Sequence, residues 1–226
     1  MRIVPIAPKI LACRELPAAD AHLLRALGID VHRHPSLGLL TCDQDDSLYV
    51  ALDHATKFAE VEVLFARSFY AGAAHASGPL SGEILGILGA AEPDSVQEGL
   101  AAASRALREE ICFYEPEGGG PAFFPHVIGE TGSYLSSEAG IAAGEPMGYF
   151  IAPPIESTLG LDAALKAADV QLVKHFAPPT ETNFGGGYLE GELHALQAAA
   201  RAFTEAVLDV AQSPFAGMRR ASHTRW

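Results

Sequence analysis

The chain repeats itself, and the repeat limits what it can fold into more than any other feature. The stretch SLGLLTCDQDDSLYVALDHATKFAEVEV, Ser36 to Val63, returns as PMGYFIAPPIESTLGLDAALKAADVQL, Pro146 to Leu172. Gly38 aligns with Gly148 (148 − 38 = 110). Asp53, Ala55, Lys57, Ala59 and Val61 align with Asp162, Ala164, Lys166, Ala168 and Val170 (162 − 53 = 109). Such an interval exceeds the roughly 20–50 residues of a solenoid unit and lets each copy bury a core of its own. The 226 residues therefore read as two similar domains.

Two copies in tandem are compatible with many functions, and charge removes some of them. Asp and Glu number 28 against 15 Lys and Arg, a formal charge of −13, which argues against a nucleic-acid or anionic-membrane surface and for protein partners or a small cation. No apolar run reaches the ~18 residues of a membrane helix. Pro5 and Pro8 interrupt the N-terminal apolar stretch, so it is read as no signal peptide, and the chain is expected to be soluble. Cys13, Cys42 and Cys112 lack CxxC spacing and read as packing residues in a reducing compartment.

Along the first copy the pattern predicts a strand at Lys9–Arg14, a helix at Pro17–Leu27 closed by Gly28, and a strand at Leu37–Cys42. An acidic turn at Asp43–Asp46 and a strand at Leu48–Leu52 follow, then a short helix capped by Asp53 and a strand from Val61. Ala71–Ser81 reads as a Gly-rich loop, Gly82–Gly89 as a strand and Pro93–Glu110 as a helix. EPEGGGP, Glu115–Pro121, has linker composition, which places the boundary between domains 1–115 and 116–226. The second copy is predicted to repeat the plan: a strand at Phe123–Val127, a helix at Gly132–Ala139 closed by Gly140, strands at Met147–Ala152 and Ser157–Leu161, and a helix at Asp162–Ala168. A strand at Val170–Phe176, a loop at Pro178–Tyr188 and a helix at Gln197–Ala211 complete it, with Gly191-Glu192-Leu193 aligned on Gly82-Glu83-Ile84. The tail after Ser213 has no assignable pattern.

DAALKAADVQLV resembles the helix-to-strand signature of bacterial microcompartment shell proteins. The blocks SLGLLTCDQDD, ATKFAEVEV, RSFYAGAAH, TGSYLSSEAGI, APPIEST and PPTETN are together similar to the tandem-domain shell proteins of ethanolamine utilisation, over about residues 10–212. The resemblance implies an α/β fold of two circularly permuted shell domains, three of which close into a pseudohexameric disc that tiles into a microcompartment shell in the cytoplasm. Closed cyclic symmetry is the usual way soluble chains assemble. It also implies a structural protein rather than an enzyme, with other shell proteins and a small amine such as ethanolamine as partners.

By motif, the edge lysine that packs across the tile boundary in this family falls on Lys57 and Lys166; read alone, each is a solvated helix lysine. Asp43, Asp45 and Asp46 crowd one turn, and with Glu83 they would repel one another unless a cation screened them, which suits an ammonium group. An Asx turn with solvated charge explains the same residues without a ligand. The resemblance assigns pore and ethanolamine contacts to Asp45, Asp46 and Glu83, a pore-side ring to Phe113, and further contacts to Thr182, Asn183 and Phe184. Phe184 departs from the family tyrosine, and Gly185–Gly187 from bulkier residues. The Gly-rich segments Ala71–Ser81 and Pro178–Gly187 are expected to act as gates, with weak binding allowing passage.

Glu156 falls where the family has a glutamate near the three-fold axis, where three copies would hold zinc only moderately without histidine; no cofactor is required. Among the nine histidines none has HExxH spacing, and no GxSxG is present. An amine-sensing binding module, and a metal-dependent hydrolase built on Asp45, Asp46 and His75, are the rival readings. Since the second copy keeps the lysine but carries APPIES in place of the aspartates, pore chemistry is expected to differ between the halves.

Overall fold

The computed structural model describes residues 1–68, 84–178 and 184–216. The first half runs β1 (Ile3–Ile6), β2 (Ile10–Leu16), α1 (Ala21–Ala26), β3 (Ser36–Cys42), α2 (Asp45–Phe58), β4 (Glu62–Arg67), β5 (Leu85–Ala90), α3 (Pro93–Glu109) and β6 (Phe113–Pro116). The second runs β7 (Phe124–Ile128), α4 (Ser133–Ala139), β8 (Met147–Ala152), α5 (Pro154–Ala167), β9 (Gln171–Phe176), β10 (Gly185–Glu190) and α6 (Leu193–Gln212). Each half contributes one antiparallel four-stranded sheet of the same order, β2-β3-β5-β4 and β7-β8-β10-β9. The equivalent strands β1 and β6 pair with each other as a two-stranded ribbon.

The architecture is the expected α/β one, but several elements differ from the sequence reading. Leu48–Leu52 and Ser157–Leu161 are helical, because α2 and α5 each start eight residues before the reading placed them (53 − 45 = 8; 162 − 154 = 8). The β-branched and aromatic residues there suggest strand, yet Leu48, Ala51, Leu52 and Ala55 return at helical spacing and are fully buried. Asp53 lies inside the helix instead of capping it, and Asp45 and Asp46 form its first turn. Only Asp43 remains as turn: its Oδ1 accepts the Lys9 N–H at 2.6 Å and its N–H donates to the Lys9 carbonyl.

Gly185–Gly187 belong to β10, not to a loop. The alignment of Gly191-Glu192-Leu193 on Gly82-Glu83-Ile84 is also overturned. β10 and α6 begin 100 residues after β5 and α3 (185 − 85 = 100; 193 − 93 = 100), so the connection before β5 is the longer one. The expected linker is structured as well. Glu115 and Pro116 pair with β1, and Gly118, Gly119 and Gly120 take the positive φ values of a tight turn leading to β7. The loop Ala71–Ser81, with Glu83, Thr182 and Asn183, lies outside the described residues.

Packing explains the repeated glycine. A Cβ on Gly38 would lie 2.9 Å from Leu100 Cγ of α3, and one on Gly148 would lie 2.9 Å from Phe150 Cζ of its own strand and 3.3 Å from Leu196 Cδ2 of α6, so each glycine leaves room for the side chains packed over it. The cores are not confined to the halves. Leu48, Ala51, Leu52 and Ala55 of α2 belong to one buried cluster with Phe124, Leu135, Tyr149 and Tyr188 of the second half. A second cluster joins α5 and α6 to the other face of the second sheet, and a third, around Leu24, Leu37 and Ile87, covers the outer face of the first.

Candidate functional site

The residues singled out by sequence converge on the seam between the halves, at the head of α2. Gln44 orders this helix start through its side chain. Its Nε2 donates to the Ile6 carbonyl at 2.8 Å, and its Oε1 accepts from Ser47 Oγ at 2.7 Å. Asp45 and Asp46 follow, both buried, with Asp45 Oδ1 accepting the Asp46 N–H at 2.9 Å. Carboxylates here are favoured by the positive end of the helix dipole, which offsets part of the cost of burying them.

Across the seam, the Tyr149 hydroxyl of β8 donates to Asp46 Oδ1. Burial, and then the negative charge of Asp46, push the Tyr149 phenol well above its ordinary range. Its ring meets Phe124 and Tyr188 edge-on, with centroids 5.5 and 4.6 Å away. Phe113 stacks on Phe124 at 4.8 Å, and Phe184 tilts against Phe113 at 6.4 Å. The structure thus brings Asp45, Asp46, Phe113 and Phe184 into one acidic and aromatic seam.

Further along α2 the seam is polar. Asp53, 1% exposed, accepts the Gly132 N–H on Oδ2 at 2.7 Å and the Leu135 N–H on Oδ1 at 2.8 Å, which caps α4 from the other half. Burial raises the Asp53 carboxyl, and the two N–H groups counteract it. Thr56 Oγ1 accepts the Ser133 N–H at 3.0 Å. A Cβ on Gly132 would lie 2.3 Å from the Asp53 carbonyl and from Thr56 Oγ1, so the contact admits only glycine. Lys57 donates to the Glu130 carbonyl at 2.8 Å. On the neighbouring strand, His126 stacks on Phe124 at 5.1 Å, and burial, then Lys57, push its imidazole down to about 4.

The second-half counterparts are placed differently. Lys166 is exposed and paired with Asp162 at 2.6 Å, one helical turn away. Glu156 lies in the first turn of α5, half-buried. Among the described residues no three His, Cys, Asp or Glu side chains gather as a metal site within the chain. His75, needed by the hydrolase reading, lies outside the described residues, and Asp46 is engaged by Tyr149 instead.

Sequence reasoning missed Tyr149, the stacking of His126 on Phe124 and the cap that Asp53 gives to α4 rather than to its own helix. The only signals were a glycine opening α4 without a side-chain cap of its own, and a tyrosine beside the repeated Gly148.

No family model matches the chain. It is 47% identical over 210 residues to the bacterial microcompartment shell protein EutL of Salmonella typhimurium, covering 92% of this chain and 95% of that protein. Identity to EutL of Escherichia coli is 46% over 210 residues, again 92% and 95% of the two chains. Among solved structures, EutL from Clostridium perfringens superposes with a TM-score of 0.91 at 44% identity, over 96% of this chain and 99% of that one. EutL from Leptotrichia buccalis gives 0.90 at 47%, over 95% and 99%. A trimeric bacterial microcompartment shell protein, PduB, shares the fold, with a TM-score of 0.72 at 21% identity over 90% and 89%.

Proposed function

The chain belongs to the EutL family of bacterial microcompartment shell proteins and is a shell subunit, and on that premise we propose that three copies close into a ring of six similar halves that tiles into the shell and passes a small amine through acidic pores. The halves are taken as residues 1–115 and 116–226.

One observation carries the ring. Asp46, Val50 and Asp53 form the face of α2 that the second half covers, with exposures of 6, 5 and 1%. At the repeat offset of 109 their counterparts on α5 are Ile155, Leu159 and Asp162. Ile155 is 65% and Leu159 49% exposed, and the Asp162 side chain is 57% exposed. The chain therefore shows the same helix face twice, once covered and once bare. Inside the chain the covering surface is the outer face of the second sheet, so a second copy offers its first sheet to α5. Repeating that contact closes at three chains, six halves making a full turn.

Asp45, Asp46, Glu83, Phe113, Thr182, Asn183 and Phe184 are the proposed pore contacts for an ethanolamine-like cation. The burial of the two aspartates supports this, with Asp46 linked to Phe113 and Phe184 through Tyr149 and Phe124, since a carboxylate pair out of water favours a cationic ligand. Lys57 and Lys166 are the proposed tile-edge residues. Three copies of Glu156 around the axis would offer a carboxylate ring to a divalent ion such as zinc, with no histidine in the set.

Sedimentation velocity tests the ring, with a trimer expected and a monomer at high concentration overturning it. Calorimetry with ethanolamine on the wild type and on Asp45→Asn tests the pore: binding is expected to fall in the variant, and equal heats remove the acidic pair from the ligand site.

A further inference from the structure

The buried acid at the head of α2 has a partner that the pore motifs do not include. Tyr149, 2% exposed, donates its hydroxyl to Asp46 Oδ1 across 103 residues of sequence. We propose that Tyr149 is a positioning residue for the amine site: it fixes the Asp46 carboxylate in one orientation, so that an ammonium ion meets an ordered acceptor. The inference rests on the reading of Asp46 as a ligand contact.

Three observations support it beyond the hydrogen bond itself. The phenol is a permanent donor, because burial and the adjacent carboxylate hold it protonated throughout the physiological range. The ring cannot swing away, since Phe124 and Tyr188 meet it edge-on at 5.5 and 4.6 Å, both at 88°. A donor held this way orders its acceptor before the ligand arrives, which lowers the ordering cost of binding.

The repeat supplies the third. The counterpart of Asp46 on α5 is Ile155, at offset 109, and the counterpart of Tyr149 on β3 is Leu39, at offset 110. β3 and β8 hold these residues on equivalent positions, Leu39 paired with Arg14 and Ile87, Tyr149 with His126 and Tyr188. Acid and donor are thus exchanged together for two apolar residues. A tyrosine kept only for its bulk would not need to follow the acid, whereas a donor has no use without it. The polar pair is confined to the seam inside each chain, which gives one positioned carboxylate per chain.

The test is calorimetric titration of the full-length trimer with ethanolamine, on the wild type, Tyr149→Phe and Phe176→Leu. Removing one charge-assisted hydrogen bond to the acceptor is expected to weaken binding about tenfold in Tyr149→Phe. Phe176→Leu disturbs the same aromatic stack without touching Asp46 and is expected to bind as the wild type. A second readout does not need Tyr149→Phe, so it survives a Tyr149→Phe chain that fails to fold: tyrosine difference absorbance. A signal that saturates with the calorimetric isotherm, and is lost in Asp46→Asn, supports the positioning role; binding without that signal overturns it. Wild-type affinity in a folded Tyr149→Phe also overturns the inference and leaves the pore reading intact. No heat in the wild type overturns the pore reading, and the inference with it.

Discussion

Asp53 caps a helix that belongs to the other half of the chain: its Oδ1 accepts the Leu135 N–H at 2.8 Å over 82 residues of sequence. The same carboxylate takes the Gly132 N–H at 2.7 Å, so both of its oxygens are committed to the seam. Its repeat counterpart, Asp162, pairs with Lys166 on the surface of its own helix.

Asp53→Asn keeps the shape and removes one acceptor, turning an amide N–H₂ toward a backbone N–H. The loss of a charged cap at a buried position is expected to cost about 2 kcal/mol, partly relieved because the carboxylate no longer has to be desolvated. For a chain of this length that lowers the melting temperature by about 4–8 °C. Asp162→Asn, at an ion pair exposed in the single chain, is expected to change the stability of the unassembled chain, melted at a concentration below ring formation, by less than about 0.5 kcal/mol. Thermal melts of the two variants side by side check the contrast, and equal shifts would show that the seam does not depend on the cap.

How much of this was legible in sequence follows from what the repeat preserves. α2 and α5 keep one register from start to finish, so Asp53 and Asp162, and Lys57 and Lys166, aligned correctly. Past the sheet the connections differ in length, and there the alignment of Glu83 with Glu192 failed. Both helix starts were placed late because neither Gln44 nor Pro153 makes a side-chain cap, so the usual N-terminal signal is missing. Asp46 was readable as an acid of interest. Its bond to Tyr149 was not, because periodicity reports which face a residue occupies and not which residue meets it from the other half.

His126 sets an acid limit on stability. Its folded value, about 4, lies below the ordinary 6.5, so between those pH values the unfolded chain binds more protons than the native one. Stability is therefore full above about pH 6.5 and falls as pH drops toward 4, by on the order of 1–3 kcal/mol for this half-buried ring. His54, also lowered mainly by burial, acts in the same direction. Asp53, raised by burial, acts in the opposite direction above its ordinary 3.8. His126→Phe keeps the stack on Phe124 and removes the proton; its melting temperature is expected to fall less between pH 7 and pH 5 than that of the wild type.

Lys57 and Lys166, the proposed tile-edge lysines, are expected to separate assembly from folding. Lys166 makes one exposed i,i+4 pair, so Lys166→Ala should leave the trimer and its melting temperature unchanged while reducing sheet formation seen by electron microscopy. Lys57 also donates to the Glu130 carbonyl across the seam, so Lys57→Ala should impair sheets and cost about 1 kcal/mol of stability as well. Sheets of normal extent from both variants would remove these lysines from the tile edge.

The two seams of the proposed ring would differ at a matched pair, and exchanging that pair tests the assembly directly. Inside the chain the pair is Asp46 with Tyr149, and the proposed ring would set Ile155, 65% exposed in the single chain, against Leu39 of the next chain. Ile155→Asp puts an unpartnered carboxylate into an apolar contact and is expected to raise the dissociation constant of the trimer about a hundredfold or more. Adding Leu39→Tyr on the facing sheet supplies the missing donor in the geometry that β8 already uses. The double variant should recover about tenfold of the loss, while Leu39→Tyr alone, which buries a hydroxyl without an acceptor, should weaken the trimer. Sedimentation equilibrium on the four proteins gives the coupling energy of the cycle. A coupling of zero would mean that Ile155 and Leu39 do not meet, and that the bare face of α5 is covered by something other than the first sheet of the next chain.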